Sequence, residues 1–559
     1  MLLPFPSSLF LAISLSAILV SSTASSTPPV INTSSGTYVG LHDLSNGTDV
    51  FKGIRYAAPP KRFTQATPIL KAPKERLSAL EFGSDCAQAP PLVVAGVPYG
   101  PPIQGRNSTE DCLFLNIWRP SQISNGTSTS SKYPILVYIH GGGLSTGAGS
   151  EWDGTSLVRR SVATKKPIIY ISINYRLGFL GFIGGAQVPA TSSNVGYHDQ
   201  RAALRWIQDN AAAFGGDGSR VTISGESAGA LSVHTHLFYP DSRRTFHGAI
   251  AASGGLLAGT TPDCTYNDRP GGAYDLLGNF TGCGTGKGSF ECMQNMPFDE
   301  FWPLANKIYD VSNFHMWVPC KGGKGSLIDE FPINKFLRGD FLNVPVMTGT
   351  TRNEGNLLIN TTFLELDPQP SAAVQDMYLS ALVSGQATNF HNVSQKTIDR
   401  IVSLYADVPD KLSNSSLYNR AAQLVTDYAG LASQRLFLES ALAAKDSKRN
   451  LWAYEFDQEP PNLPSFLGAF HSVDLYYLNM GFPPIKEDDQ LLTTFQDYWI
   501  SFVNGGDPGK SWPRYSADNK KVLRLAEGKI GVQADTRQRE QTDYFNQVDV
   551  LREFGRFGN

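Results

Sequence analysis

Val221-Thr222-Ile223-Ser224-Gly225-Glu226-Ser227-Ala228-Gly229-Ala230 decides how this 559-residue chain is read. A β-branched run meets a Gly-x-Ser-x-Gly turn, and a helix-compatible segment follows. That order predicts a strand reversing sharply into a helix with one hydroxyl at the tip, the form of a nucleophile elbow. Small residues flank the serine because bulk there would collide with neighbouring backbone. The amides after it leave a helix N-terminus and point to where an oxyanion would form. The same pattern recurs at Gly143-Leu144-Ser145-Thr146-Gly147, in a chain with 53 glycines. That serine follows a glycine run and leads into Gly147-Ala148-Gly149-Ser150, which propagates a helix poorly. Ser227 is therefore the candidate nucleophile and Ser145 a loop serine.

Around the elbow, strand-like runs alternate with amphipathic helices. Tyr133–Ile139 and Pro167–Ile173 read as buried strands. Between Asp199 and Phe214 the residues Ala203, Leu204, Ile207, Ala211 and Phe214 recur at helical spacing, and Gly215-Gly216 ends that helix. Further strands are expected at His247–Ala252, Val344–Thr348 and Leu451–Phe456. Near-continuous apolar strands with helices between them imply an α/β fold, with a large, mostly parallel central sheet covered on both faces. About 90 residues separate the strands near Ala249 and Val346, and about 100 separate Met347 from Leu451. Gaps of that length are expected to be folded insertions, walling the carboxyl edge of the sheet where α/β enzymes bind ligands. The Ser/Thr-rich segment Ser121–Lys132 reads as an exposed loop.

Composition narrows the partners. Hydrophobic residues make up 41% and charged residues 17%, enough for a sizeable core and against disorder. A net charge of -3 and a pI near 6.3 give no basic patch for nucleic acid. Leu9–Val20 is mostly apolar, and Ser22-Thr23-Ala24 offers small residues for cleavage, so residues 1–24 read as a secretory signal peptide. No Lys or Arg precedes Lys52, so the positive n-region falls to the α-amino group. The apolar stretch is shorter than the ~20 residues of a spanning helix, so no stable membrane anchor is expected. The rest, residues 25–559, reads as a single domain. Six cysteines and eight Asn-x-Ser/Thr sequons, at Asn32, Asn46, Asn107, Asn125, Asn279, Asn360, Asn392 and Asn414, agree with export as a glycoprotein. Cys283 and Cys292 suit a small stapled loop, Cys86 and Cys112 a longer one, and Cys264 and Cys320 remain; counting alone leaves the pairing open. No Cys-x-x-Cys or His cluster has zinc spacing, so no metal and no cofactor is expected.

Acyl transfer by a serine requires a base, an acid that orients it, and donors for the oxyanion. His140-Gly141-Gly142-Gly143 follows a strand, and bare backbone there lets amides converge; Gly142 and Gly143, with Ala228, are the candidate donors. The alternative is a tight turn with no ligand. Among nine histidines, His471 in Gly468-Ala469-Phe470-His471-Ser472-Val473-Asp474 follows the last long strand candidate. His234 and His236 lie on the helix after the elbow, where a hydrogen-bonded core histidine is ordinary. Glu354, in Arg352-Asn353-Glu354-Gly355, follows the Val344–Thr348 strand; an acid before a glycine also suits a plain turn. The chain order Ser227, Glu354, His471 is that of α/β-hydrolases and favours catalysis.

Several stretches, taken together, resemble the type-B carboxylesterase/lipase family, which includes cholinesterases and fungal lipases. They are Phe51-Lys52-Gly53-Ile54-Arg55-Tyr56-Ala57-Ala58-Pro59-Pro60, Glu110–Ile117, Phe214-Gly215-Gly216-Asp217 through Gly229, Asn353-Glu354-Gly355 and Phe470-His471-Ser472. The resemblance covers most of the chain after the signal and implies the α/β-hydrolase fold. It implies Ser227 as nucleophile, His471 as base and then acid, Glu354 as the group orienting His471, and an oxyanion hole of Gly142, Gly143 and Ala228. It implies disulfides Cys86–Cys112 and Cys283–Cys292, and bracing ion pairs Arg62–Glu110 and Arg176–Asp199. Arg55 stands where relatives often have proline. The Cys86–Cys112 loop lacks the tryptophan with which cholinesterases hold a quaternary ammonium, which disfavours choline esters. The loop is Pro/Gly-rich, from Ala89-Pro90-Pro91 to Gly100-Pro101-Pro102, too broken for the long amphipathic lid of the fungal lipases. The expectation is a secreted serine hydrolase of small to medium carboxylic esters, its partner a small-molecule ester. A lipase or sterol esterase at interfaces, an amidase or thioesterase, and a non-catalytic binding module are the alternatives. Oligomeric state is not legible.

Overall fold

The computed structural model describes residues 27–557 apart from 91–92, 95–96, 99–107, 122–131, 256–260, 312–316, 360, 365, 367–368, 388–392, 445–448, 462, 480–484 and 487–488. The signal-peptide reading of 1–24, the loop at 122–131, most of the Pro/Gly-rich stretch and the sequons at Asn107, Asn125, Asn360 and Asn392 lie outside the described residues.

Eleven strands form the main sheet: β1 (Leu41–Asp43), β2 (Thr48–Arg55), β3 (Phe114–Pro120), β4 (Tyr133–Ile139), β5 (Ile169–Ile173), β6 (Gly216–Glu226), β7 (Gly248–Ala252), β8 (Val346–Thr351), β9 (Leu451–Phe456), β10 (Lys521–Leu525) and β11 (Gly531–Ala534). Their spatial order is β11-β10-β9-β8-β7-β6-β4-β5-β3-β2-β1. The block from β5 to β10 is parallel throughout, and antiparallel strands sit at both flanks. The chain therefore has the α/β-hydrolase architecture. The sequence reading did not anticipate β1, β2 and β3 on one flank or β10 and β11 on the other. In β10 Lys521 and Arg524 interrupt the apolar run.

Side chains alternate between two covered faces, so the central strands are largely apolar on both. Ile135, Val137, Ile139, Ile169, Ile171, Val221, Ile223, Ala249 and Ala251 pack into one core. Leu136, Tyr138, Tyr170, Ile250, Met347, Trp452 and Tyr454 face the opposite one. Helices α2 (Val195–Asn210) and α3 (Ala228–Phe238) contribute to the first core. Helices α1 (Thr155–Ala163), α4 (Val473–Asn479) and α5 (Gln490–Gly505) contribute to the second. The α-helical part of α2 ends at Asn210 and a 3-10 turn continues over Ala211–Phe214; Gly215, at φ 79°, stops the run as expected.

Both long gaps hold folded insertions with cores of their own. One gathers Phe179, Tyr274, Leu277, Phe290, Met293, Phe301 and Trp317. The other gathers Leu379, Ile401, Tyr405, Tyr418 and Tyr428, with Phe545 and Phe554 from the C-terminal helices. Three disulfides form, Cys86–Cys112, Cys264–Cys320 and Cys283–Cys292. The second ties together the two flanks of the first insertion.

Candidate active site

The register of the parallel strands delivers the candidate groups to one edge. Ile139 pairs with Gly225, Glu226 with Ala252, Ala252 with Gly349, and Thr351 with Phe456. The residues that follow each of these strands are His140-Gly141-Gly142-Gly143, Ser227, Arg352-Asn353-Glu354 and the segment leading to His471. Widely separated segments thus converge because the strand ends are level.

Ser227 occupies φ 56°, ψ −122° between β6 and α3. A non-glycine residue there carries roughly 1–3 kcal/mol of backbone strain. Its N–H donates to the Ala252 carbonyl at 2.9 Å, and its carbonyl accepts from Leu231 N at 3.0 Å as the first helical bond. The two flanking glycines are demanded by contact. A Cβ on Gly225 would lie 2.3 Å from the Gly229 carbonyl carbon, and one on Gly229 would lie 2.1 Å from the Ile139 oxygen. Ala228 opens α3, so its N–H has no intrahelical acceptor.

The glycine loop packs against this elbow: a Cβ on Gly141 would come within 3.2 Å of Ser227 Cβ. Gly142, at φ 91°, turns its carbonyl away to accept from Ser145 N at 3.0 Å and Thr146 N at 2.9 Å. The His140 ring stacks on Tyr175 with centroids 4.4 Å apart, and Tyr175 Oη donates to the His140 carbonyl at 2.9 Å. Burial pushes His140 down to about 4, so it is neutral and braces the loop. Ser145 is fully buried inside this turn, away from any strand-to-helix junction.

Glu354 is 2% exposed. Its Oε1 accepts from Thr351 N at 2.7 Å, and its Oε2 lies 2.5 Å from His471 Nδ1. An acceptor-only carboxylate there assigns the proton to Nδ1, which makes Nε2 the nitrogen able to accept a proton. His471 is itself buried, on a loop anchored by Phe470 and Val473 in the second core.

Glu226 went unnoticed in the sequence, although it directly precedes Ser227. Its Oε1 is 3.3 Å from His471 Nε2 and 2.5 Å from Ser472 Oγ, which donates to it. Burial pushes Glu226 up to about 8 against the pull of His471. For His471, burial opposes the charged form, but Glu226 and Glu354 outweigh it and push the imidazole up to about 9. Glu226 and His471 therefore act on each other's proton affinity.

The rival histidines have structural surroundings. His236 Nε2 pairs with Gln200 Oε1 at 2.8 Å, and His234 stacks on Phe437 at 4.7 Å. Burial pushes both down to about 3. The ion pairs named from sequence also form. Arg62 holds Glu110 through two bonds of 2.7 and 2.9 Å, and Arg176 holds Asp199 at 2.7 Å with both side chains buried. Arg55 makes a two-pronged pair with Asp111 and covers the Phe114 ring. Among the described residues, no group of three or more His, Cys, Asp or Glu is arranged to hold a metal ion.

Comparison with known proteins agrees with this frame. A family model described as "Carboxylesterase family" matches residues 27–545. Lipase 1 of Geotrichum candidum is 31% identical over 539 residues, covering 86% of this chain and 89% of that one. A secreted triacylglycerol lipase of Gibberella zeae is 29% identical over 536 residues, covering 88% and 85% respectively. Aspergillus niger EstA superposes with a TM-score of 0.76 at 23% identity, covering 94% of this chain and 99% of that chain, a likeness of fold.

Proposed function

The chain belongs to the carboxylesterase family and is a carboxylic ester hydrolase; from that premise we propose that it is exported and uses Ser227, His471 and Glu354 on small to medium esters. The observation that carries the residue assignment is the 2.5 Å contact between His471 Nδ1 and Glu354 Oε2, made across 117 residues of chain at the edge where Ser227 turns. Ser227 Oγ attacks the ester carbonyl carbon while His471 Nε2 takes its proton. The oxyanion is held by the N–H groups of Gly142, Gly143 and Ala228, each donor of this kind contributing ~3 kcal/mol. His471 returns the proton to the departing alkoxide, and an alcohol leaves. Water, deprotonated by His471, then attacks the acyl-enzyme; the acid product departs and Ser227 regains its proton. Glu354 keeps the imidazole in the productive tautomer and stabilises the imidazolium.

Export is supported by the apolar N-terminal stretch, the three disulfides and relatives named as secreted. Among the described residues no helix is long and apolar enough to cross a membrane. We read residues 25–559 as one catalytic domain.

The assignment is tested with Ser227→Ala. Turnover of a soluble p-nitrophenyl ester should fall by ~10⁴-fold or more; near-wild-type turnover would overturn it.

A second reading, hydrolysis at a lipid interface, is favoured by the relatives named as lipases and by the exposed apolar side chains Val374, Met377 and Tyr378 on the helix Ala372–Gly385. Rates on a soluble short-chain ester and on emulsified triacylglycerol separate the two. A strong preference for the emulsion would replace the small-ester reading with the interfacial one.

A further inference from the structure

The acid and the base ride on different segments, and something must hold those segments in register. The Glu354–His471 contact cannot do this alone, because a single bond between two side chains leaves both backbones free to shift. The segments meet one residue before Glu354. Asn353 N–H donates to the Ala469 carbonyl at 2.9 Å, and Ala469 N–H donates back to Asn353 Oδ1 at 3.1 Å. Asn353 and Phe470 form an isolated parallel bridge at the same place. The Asn353 carbonyl is also engaged, accepting from Asn356 N at 3.0 Å. The approach is close: Gly468 sits at φ 55°, and a Cβ there would lie 2.5 Å from Asn353 Oδ1. Asn353 is 6% exposed, so water does not readily replace these bonds.

We propose that Asn353 is a positioning residue, a clamp whose backbone and side chain together fix the acid turn against the base loop and so set the Glu354–His471 contact. The inference rests on the reading of those two residues as catalytic acid and base. Its chemistry is specific. Ala469 N–H requires an acceptor, so Oδ1 faces it, and any side chain without an acceptor at that distance breaks the ring of two bonds. Misplacement of a catalytic group by an ångström is enough to cost ~10²-fold in rate.

The test uses the full-length enzyme and a soluble p-nitrophenyl ester, with Asn353→Ala, Asn353→Asp and Ser227→Ala in parallel. Asn353→Ala should lower kcat by ~10-fold or more with KM within about twofold. It should also move the acid limb of the kcat/KM profile to lower pH, because a loosened Glu354 stabilises the imidazolium less. Asn353→Asp keeps the size and the acceptor and should recover most of kcat. A folded Asn353→Ala protein with unchanged kcat and an unmoved limb would overturn the clamp. If Asn353→Ala does not fold, Asn353→Asp decides: near-wild-type kcat supports the acceptor role, and a loss as large as ~10-fold in folded protein contradicts it. Ser227→Ala separates the two claims. Retained turnover there defeats the catalytic reading itself, whereas a dead Ser227→Ala beside an unaffected Asn353→Ala defeats only the clamp.

Discussion

Glu226 Oε1 stands 3.3 Å from His471 Nε2, while Glu354 holds the opposite nitrogen of the same ring at 2.5 Å. One imidazole therefore sits between two buried carboxyl groups. Burial works against its charge, and the two acids overcome burial, pushing His471 up to about 9 from the usual value near 6.5. The base form is the deprotonated one, so raising this pKa pushes the acid limb of activity to higher pH. Glu226→Gln removes one attraction and should shift the limb of kcat/KM down in pH. A pH series on a soluble ester reads this directly, and an unmoved limb would show that Glu226 does not act on His471.

Gly229 is required by contact with Ile139. Gly229→Ala places a methyl 2.1 Å from the Ile139 oxygen and must displace the elbow or β4. Activity should fall by ~10²-fold or more, together with a lower Tm. Gly286→Ala is the control, because nothing lies within 4 Å of a Cβ there. Steady-state kinetics and thermal melts on both variants check this; an unaffected Gly229→Ala would show that the elbow tolerates bulk.

Much of the architecture was legible in the sequence because the central strands are buried on both faces. Tyr133–Ile139 and Leu451–Phe456 have no polar face to mask them, and the observed strands span the same residues. The flanking strands were not legible: Leu41–Asp43, Thr48–Arg55 and Phe114–Pro120 on one side, Lys521–Leu525 and Gly531–Ala534 on the other, where charged residues such as Asp49, Lys52, Arg119, Lys521 and Arg524 interrupt the apolar runs. The elbow was legible because its geometry forbids side chains at fixed positions around Ser227. Glu226 and Asn353 were not. Their partners are 245 and 116 residues away, at His471 and Ala469, and no local pattern encodes that meeting. The one available signal was adjacency, since each directly precedes a candidate catalytic residue.

Arg176 and Asp199 are a buried pair, 2% and 0% exposed, and Arg176 also donates to the carbonyls of Lys61 and Thr64. Arg176→Met leaves the Asp199 charge buried and uncompensated. It should destabilise the fold by ~3–5 kcal/mol. Adding Asp199→Asn removes that charge and should recover part of the loss. Chemical denaturation of the single and double variants measures both; no recovery would place the cost in packing instead of charge.

Cys264 and Cys320 are 56 residues apart and bridge a segment with its own hydrophobic cluster. Replacing both by serine frees that segment in the unfolded chain, at about 4 kcal/mol on the loop-entropy scale. The expected result is a lower Tm with kcat retained at low temperature. Loss of kcat in protein that remains folded would instead tie this insertion to the chemistry.

The central claim is that backbone geometry presents one activated hydroxyl, and a fluorophosphonate tests it most directly. The reagent should bond covalently to the folded protein, and peptide mass mapping should locate the adduct on Ser227 alone. Folded protein that never takes the label, or a label found on another serine such as Ser145, would contradict the account.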